Sequence, residues 1–266
     1  MTDKPPPPHE IVTRFKTDKQ YFFLLYSAPR DSGKTFHYKH LLTDPRHNLL
    51  HQYDAVYVVS PTPRFNYDYD DLKEFDNVIF ITQVSSNFLL DLLRKMEDLK
   101  EQERNDPELY RAPSTLVILD DILDSNVGHF GGILDAYAAR ARHVRCAVIA
   151  SIQRLNGLSR TCRINSDVIV IFVPYSASEV ESFVEQFIFR AYRKSLHQKI
   201  VEIFDIPFNC IILNNMNRRL SQRLLQGTLD EFMNNTLTFI LFENDIKKNK
   251  RNVTEELEDR KKKKKL

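Results

Sequence analysis

The chain has 266 residues, of which 42% are hydrophobic and 11% aromatic, and this composition excludes an intrinsically disordered protein. Its formal net charge of +2 is nearly balanced, so the total charge gives no argument for nucleic-acid binding. No apolar run reaches the ~18 residues that would span a bilayer, and the polar, proline-rich start MTDKPPPPHE is unlike a signal peptide. The thiols of Cys146, Cys162 and Cys210 lack paired or metal-like spacing, so we expect reduced, buried cysteines in a soluble intracellular protein.

Strand-like and helix-like segments alternate along most of the chain. Such alternation favours a mostly parallel sheet flanked by helices, and short strands with few charges suit a sheet that is covered on both faces. In chain order we predict a strand over residues 21–26, a helix over 36–42, strands over 55–60 and 78–81, a helix over 88–103, strands over 116–119, 147–151 and 168–173, a helix over 179–197, and late edge strands over 210–213 and 237–242.

These segments are predicted to form one α/β domain over residues 20–244, with its motifs in residues 20–175. Residues 1–19 are predicted to be a flexible, proline-rich lead-in, and residues 245–266 a charged tail that is rich in lysine. The lysine run at residues 261–265 is typical of nuclear-localisation signals, nonspecific DNA tethers or solubilising ends.

The first motif is APRDSGKT, residues 28–35, which lies between the first predicted strand and the first predicted helix. It is close to the phosphate-loop pattern G-x-x-x-x-G-K-S/T, in which backbone N–H groups bind phosphates, the lysine reaches the β- and γ-phosphates and the hydroxyl ligates Mg²⁺. Alanine replaces the first glycine of the pattern and would be strained if the loop requires a positive φ there. The predicted nucleotide-binding residues are Ala28, Pro29, Arg30, Asp31, Ser32, Gly33, Lys34 and Thr35.

The second motif is TLVILDD, residues 115–121, an apolar strand that ends in two aspartates. Ligands of open α/β sheets bind at the carboxyl ends of the strands. Beside a phosphate loop, Asp120 is predicted to hold Mg²⁺ through its water shell together with Thr35, and Asp121 to polarise the water that attacks the γ-phosphate. Aspartates at strand ends are common, but the two motifs together predict ATP binding and hydrolysis.

The third group of residues surrounds the strand at 147–151. Gln153 follows this strand and is predicted to contact the γ-phosphate and the attacking water, although a lone glutamine there is more often a surface residue. Of the nearby arginines, Arg142 is the first candidate and Arg163 the second for an arginine finger that acts on a neighbouring subunit's nucleotide. Most arginines in such a cluster form salt bridges or contact DNA.

Basic segments are candidates for contacts with DNA phosphates, which require no sequence readout. They are residues 154–163 and the group Arg218, Arg219 and Arg223, and the alternative for both is a solvated basic loop. The acidic segment YDYDD, residues 67–71, lacks the glycine and the final glutamate of a calcium loop, so we predict an exposed turn. Surface positions on helices or in loops are predicted for His37, His40, His47 and His51.

The order of these motifs, from APRDSGKT through LVILDD and Gln153 to RIN at residues 163–165 and a strand ending in Phe172, resembles the A32-like genome-packaging ATPases of large double-stranded DNA viruses. These belong to the FtsK–HerA group of P-loop DNA pumps, and the resemblance covers residues 20–175. It assigns the phosphate and Mg²⁺ roles to Lys34 and Thr35, the metal role to Asp120, the catalytic carboxylate to Asp121 and the sensor to Gln153. The second acid is aspartate where many relatives in the larger group have glutamate.

The resemblance further implies a RecA-like P-loop NTPase core and a homo-oligomeric ring, a pentamer or a hexamer, that uses ATP to move double-stranded DNA into a preformed capsid. The implied partners are double-stranded DNA and a capsid or portal-vertex protein. The implied location is a virus assembly site, in a cytoplasmic factory or the nucleus, with possible association with the virion.

Proteins with other functions would have different sequence features. A helicase-like translocase or a terminase is the nearest alternative, but a terminase would add a nuclease domain with clustered carboxylates, which residues 175–266 lack. A GTPase is disfavoured because no N-K-x-D segment is present. An alternative of a different class is a non-catalytic capsid or scaffold component with a degenerate nucleotide site, and only Ala28 favours it.

Overall fold

The structure, a computed structural model, describes residues 21–45, 48–60, 67–82, 85–120, 127–154, 159–173, 176–188, 190–216, 223–228, 231 and 237–239. The predicted lead-in at 1–19 and the predicted tail at 245–266 lie outside the described residues.

A nine-stranded sheet forms the centre of the described part of the chain, in the order β3-β2-β4-β5-β1-β6-β7-β8-β9. The strands from β3 to β6 in this order pair in parallel, and β7, β8 and β9 are antiparallel to their neighbours. The strands are β1 (Phe23–Ser27), β2 (Ala55–Val59), β3 (Val78–Ile81), β4 (Thr115–Leu119), β5 (Cys146–Ile152), β6 (Val168–Phe172), β7 (Cys210–Asn214), β8 (Leu224–Gly227) and β9 (Thr238–Phe239).

Helices cover both faces of the sheet. The α-helices are α1 (Lys34–Thr43), α2 (Ser86–Asn105), α3 (Val127–Arg140), α4 (Arg160–Asn165), α5 (Ala177–Phe187) and α6 (Arg193–Phe204). Short 3₁₀ helices occupy Leu49–Gln52, Tyr67–Glu74, Ala141–Val144 and Arg190–Tyr192.

The two faces of the sheet carry separate apolar cores because side chains alternate along each strand. On one face, Phe23 and Leu25 of β1 pack with residues of helices α2 to α6. On the other, Leu24 and Tyr26 pack with α1 and with the 3₁₀ helices Leu49–Gln52 and Tyr67–Glu74. Every residue of the central strands β1, β4, β5 and β6 is buried, as expected for parallel strands covered on both sides.

The predicted mostly parallel α/β sheet is confirmed, and the three cysteines are buried and free as expected. Burial raises the pKa of Cys162 and of Cys210 to about 12, which disfavours their thiolate forms.

The predicted single helix over residues 179–197 is wrong, because the chain forms α5 and α6 with a break between them. Ile188 adopts an extended backbone conformation directly after α5. The guanidinium of Arg193 donates hydrogen bonds to the carbonyls of Glu185 and Ile188, and so satisfies groups that a continuous helix would have paired internally. Strand β8 and helices α3 and α4 were not predicted from the sequence.

Asp167 joins the central strands at their amino ends. Its backbone N–H donates to the carbonyl of Phe23 at 2.9 Å, and its carboxylate accepts from the N–H of the same residue at 3.0 Å. The backbone N–H of Asn215, after β7, donates to the carbonyl of Asp167 at 2.9 Å. One buried residue thereby aligns β1, β6 and β7.

Replacing Asp167 with alanine is expected to lower the free energy of unfolding by about 1–3 kcal/mol, because the N–H of Phe23 loses its side-chain acceptor. Asp167→Asn keeps an oxygen acceptor and should lose less. Urea unfolding followed by circular dichroism measures both variants. As a control, Asp91→Ala removes only an exposed ion pair with Arg94 and should change stability by less than about 1 kcal/mol. Equal losses for Asp167→Ala and Asp91→Ala would contradict this role.

Candidate active site

The predicted phosphate loop leaves the carboxyl end of β1 and leads into α1, which begins at Lys34. The N–H of Ala28 donates to the carbonyl of Ile152 at 3.0 Å, so the start of the loop is fixed to the end of β5. Within the loop, the hydroxyl of Ser32 donates to the carbonyl of Pro29 at 2.8 Å and closes a compact turn.

Ala28 causes no backbone strain in this loop. The loop residues with positive φ are Asp31, at 59°, and Gly33, at 89°. Aspartate is one of the residues that tolerate this region, and glycine adopts it freely. The Ala28 side chain is buried in the apolar core beneath the loop. Position 28, where the phosphate-loop pattern has its first glycine, therefore accommodates alanine.

The amino end of α1 presents backbone N–H groups toward the loop. Gly33 is the N-cap and has no side chain to cap the helix, and the positive end of the helix dipole at this point favours an anion. Lys34 is buried at the first helical position, and Thr35 follows it. This geometry suits a bound phosphate chain.

Asp120 follows β4 at the same edge of the sheet and is only 3% exposed. One carboxylate oxygen accepts a hydrogen bond from the hydroxyl of Ser151 at 2.6 Å. The other accepts from the hydroxyl of Tyr69, in the 3₁₀ helix Tyr67–Glu74. The two hydrogen bonds from neutral donors hold the carboxylate in one orientation. They also offset the free-energy cost of burying its charge.

The hydrogen bonds at Asp120 continue to α1. Because Tyr69 donates to Asp120, its oxygen is free to accept from the hydroxyl of Tyr38, 2.5 Å away. Tyr38 lies on α1, the helix that also carries Thr35. Burial, and then the charge of Asp120, raise the pKa of Tyr38 well above its usual value, so this tyrosine stays neutral. We call the set Tyr38–Tyr69–Asp120 the tyrosine bridge.

The tyrosine bridge thus links Asp120 to α1, the helix that carries Thr35, the other predicted Mg²⁺ ligand. Each carboxylate oxygen of Asp120 has further lone pairs beyond the bonds described, so a water of a hydrated Mg²⁺ could donate to it. Among the described residues, no group of three or more His, Cys, Asp or Glu side chains could hold a metal ion by itself. A single carboxylate that binds through water, as predicted for Asp120, fits a cation that keeps waters and phosphate oxygens as its main ligands.

Gln153 lies close to the phosphate loop, since β5 and β1 are parallel neighbours. It lines a small cavity together with Ala28, Pro29, Glu179 and Phe183. Asp121 lies outside the described residues, so its role stays a prediction.

The two arginine-finger candidates lie at the opposite edge of the sheet. Arg142 precedes β5, Arg163 precedes β6, and Arg142 donates to Asn165 of α4 at 3.3 Å. Both arginines therefore lie at the amino edge of the parallel strands, whereas the phosphate loop and Asp120 follow β1 and β4 at the carboxyl edge. Neither side chain is part of its own chain's site.

Two of the three other arginines near β5, Arg140 and Arg145, make salt bridges of the predicted kind. Arg140 pairs with Glu97 and Arg145 with Glu103, each at 2.9 Å. Arg223 is partly buried and donates to Asn215 at 2.9 Å, which does not fit the alternative of a solvated basic loop, and its contact with DNA stays a prediction. Arg218, Arg219 and residues 155–158 lie outside the described residues.

Two predictions of surface positions are wrong. The segment at 67–71 is not an exposed turn, because Tyr69 is fully buried and reaches Asp120. His37 lies on the buried side of α1, where its Nδ1 and the hydroxyl of Tyr26 share a hydrogen bond of 2.7 Å. The apolar residues near Tyr69, Leu72 and Phe75, are the sequence signal that this acidic segment packs against the core.

The sequence profile of the family described as Poxvirus A32 protein matches residues 12–254 of the chain. The chain belongs to this family. A search of curated proteins found no match. Of the described residues, none forms a helix long and apolar enough to cross a membrane.

Solved structures share the fold of this A32 family member at low sequence identity. The genome packaging NTPase B204 from Sulfolobus turreted icosahedral virus 2, in complex with AMPPCP, is 15% identical with a TM-score of 0.51, over 78% of this chain and 97% of that one. B204, the DNA-packaging ATPase from Sulfolobus turreted icosahedral virus, is 14% identical with a TM-score of 0.52, over 77% and 96%. EssC (ATPases 2 and 3) from Geobacillus thermodenitrificans is 13% identical with a TM-score of 0.53, over 90% and 44%.

Replacing Tyr69 with phenylalanine tests the tyrosine bridge in this A32 family member. The variant frees one oxygen of Asp120 and breaks the link to Tyr38, so the Mg²⁺ concentration for half-maximal ATP binding should rise about 10- to 100-fold. A Mg²⁺ titration with a fluorescent ATP analogue measures it. Tyr110→Phe, at an exposed position, is the control and should leave the titration unchanged. An unchanged titration for Tyr69→Phe would show that Asp120 is oriented without the bridge.

Proposed function

We propose that this chain is a Mg²⁺-dependent ATPase that moves double-stranded viral DNA into a preformed capsid. The observation that carries the proposal is the meeting of the phosphate loop and Asp120 at one edge of the sheet, linked by the tyrosine bridge. Membership in the poxvirus A32 family supports it. The shared fold with B204, a genome packaging NTPase that was solved with AMPPCP, is consistent with ATP at this edge.

Each residue of the site has a role in the proposed hydrolysis. Lys34 and the first N–H groups of α1 bind the β- and γ-phosphates and hold them in place. Thr35 and Asp120 would hold Mg²⁺, which when bound neutralises phosphate charge. Asp121 accepts a proton from the attacking water, and Gln153 orients this water toward the γ-phosphate.

The proposed ring supplies the remaining catalytic group. Arg142 and Arg163 both lie at the amino edge of the sheet. From there, either arginine would act on the nucleotide of a neighbouring subunit. There its guanidinium would stabilise the charge that develops on the transferred phosphate. A homo-oligomeric pentamer or hexamer is the proposed assembly, with basic side chains of residues 154–163 on the DNA backbone.

The proposed partners beyond DNA are a capsid or portal-vertex protein, at a virus assembly site in a cytoplasmic factory or the nucleus. The backbone at Ala28 gives no support to the scaffold alternative, because that residue has no positive φ and packs in the core.

Two substitutions separate nucleotide binding from turnover. Lys34→Ala should abolish ATP hydrolysis, since the lysine that contacts the phosphates is lost, and Asp121→Asn should bind ATP without hydrolysing it. Steady-state phosphate release and ATP-analogue binding measure the two properties. Lys39→Ala is the matched control, because Lys39 also lies on α1 but pairs with Asp71 at 2.8 Å. Wild-type turnover by Asp121→Asn would show that another group polarises the water.

The rate of ATP hydrolysis in the presence of linear duplex DNA tests whether the chain acts as a DNA motor. We expect stimulation by DNA that fades as salt is raised, because phosphate contacts release counterions. The measurement is steady-state hydrolysis with and without DNA at low and moderate salt. ATP binding without turnover under every condition would contradict the proposal and favour a nucleotide-binding scaffold.

A further inference from the structure

The loop between α6 and β7 places exposed apolar side chains beside the phosphate loop. Ile206 is 51% exposed and Phe208 is 62% exposed. A Cβ atom added at Gly33 would lie 3.6 Å from Cδ1 of Phe208, so the phenyl ring contacts the residue that precedes Lys34. An exposed aromatic ring in this place has no role in the proposed hydrolysis.

The backbone at Phe208 adopts an unfavourable conformation, and the side chain is exposed. Its φ is +61°, in the left-handed region that aromatic residues rarely adopt. Buried Asn209 fixes the turn, since its backbone N–H donates to the carbonyl of Ile206 at 3.2 Å and its side-chain amide to that of Ile203 at 3.3 Å. Strain that is maintained by its surroundings is common at ligand sites.

A second exposed ring lies on α1. Phe36 follows Thr35, is 58% exposed, and is three residues from Gly33, so it lies on the same side of the helix as the contact with Phe208. The ring of His40 packs edge-on against that of Phe36, with centroids 4.8 Å apart. This contact limits the motion of Phe36 while leaving it open to solvent.

The sheet order decides which part of a nucleotide reaches these rings. Asp120 follows β4, on one side of β1, while β6 and β7 lie on the other. Because β7 runs antiparallel to β6, with Phe172 opposite Cys210, the loop before β7 lies at the same edge as the phosphate loop. The γ-phosphate end must face Asp120, so the nucleoside end extends toward Phe208.

We propose that Phe208 and Phe36 form the binding site for the purine base of the nucleotide. A base offers a flat apolar face, and stacking on an aromatic ring is its usual mode of recognition where no hydrogen-bond readout is needed. The inference rests on the proposed function, since it requires a nucleotide at the phosphate loop. It assigns the base to residues that the sequence motifs do not include.

The test compares ATP with inorganic tripolyphosphate, which has the same phosphate chain and no base. Phe208→Ala should weaken ATP binding roughly 5- to 100-fold and leave tripolyphosphate binding unchanged. Phe36→Ala should weaken ATP binding in the same selective way. Phe208→Trp keeps a stacking surface and should bind ATP within a few-fold of the unaltered chain. Leu109→Ala, at an exposed residue elsewhere, is the control for loss of a surface apolar side chain.

Isothermal titration of each variant with both ligands, with folding checked by circular dichroism, distinguishes the outcomes. Unchanged ATP affinity in Phe208→Ala, or an equal loss for both ligands, would overturn the base site while leaving the proposed ATPase intact. ATP binding no tighter than tripolyphosphate binding in the unaltered chain would overturn it as well. Binding of neither ligand would overturn the proposed function and the base site together.

Discussion

The position of β1 between β5 and β6, with all three strands parallel, is the constraint on which the site depends. Parallel pairing brings the carboxyl ends of β1, β4 and β5 to one edge, although they are far apart in sequence. The phosphate loop, Asp120 and Gln153 follow these three ends directly. Because the strands themselves are buried on both faces, their ends are where polar groups can reach a ligand.

The tyrosine bridge stabilises the buried carboxylate of Asp120. An isolated buried charge is costly, but Asp120 receives hydrogen bonds from Ser151 and Tyr69. Burial is the main cause that raises the pKa of Tyr69, so it stays a neutral donor. The bridge also joins α1, the 3₁₀ helix Tyr67–Glu74 and β4. The phosphate loop and the carboxylate of Asp120 are therefore held in one fixed relation.

Local sequence patterns were enough to predict most strands and the two motifs, because short apolar runs and strand-end aspartates are themselves local signals. The contacts that complete the site are not local. Tyr69 reaches Asp120 across 51 residues. Leu72 and Phe75 indicate that the acidic segment packs against the core, but they do not indicate which residue Tyr69 contacts. The break between α5 and α6 depends on the side chain of Arg193, which a helical pattern cannot reveal. The sign of φ at Ala28 likewise depends on the path of the folded loop.

The arrangement of the two sheet edges limits how subunits could cooperate. The phosphate loop and Asp120 lie at the carboxyl edge, while Arg142 and Arg163 lie at the amino edge. An arginine that acts in trans therefore requires the amino edge of one subunit to face the carboxyl edge of the next. That contact is heterologous, and a heterologous contact closes into a ring only when its rotation repeats a whole number of times in one turn. A symmetric dimer joined through matching edges would leave both nucleotides without the arginine, so hydrolysis by this route would depend on ring assembly.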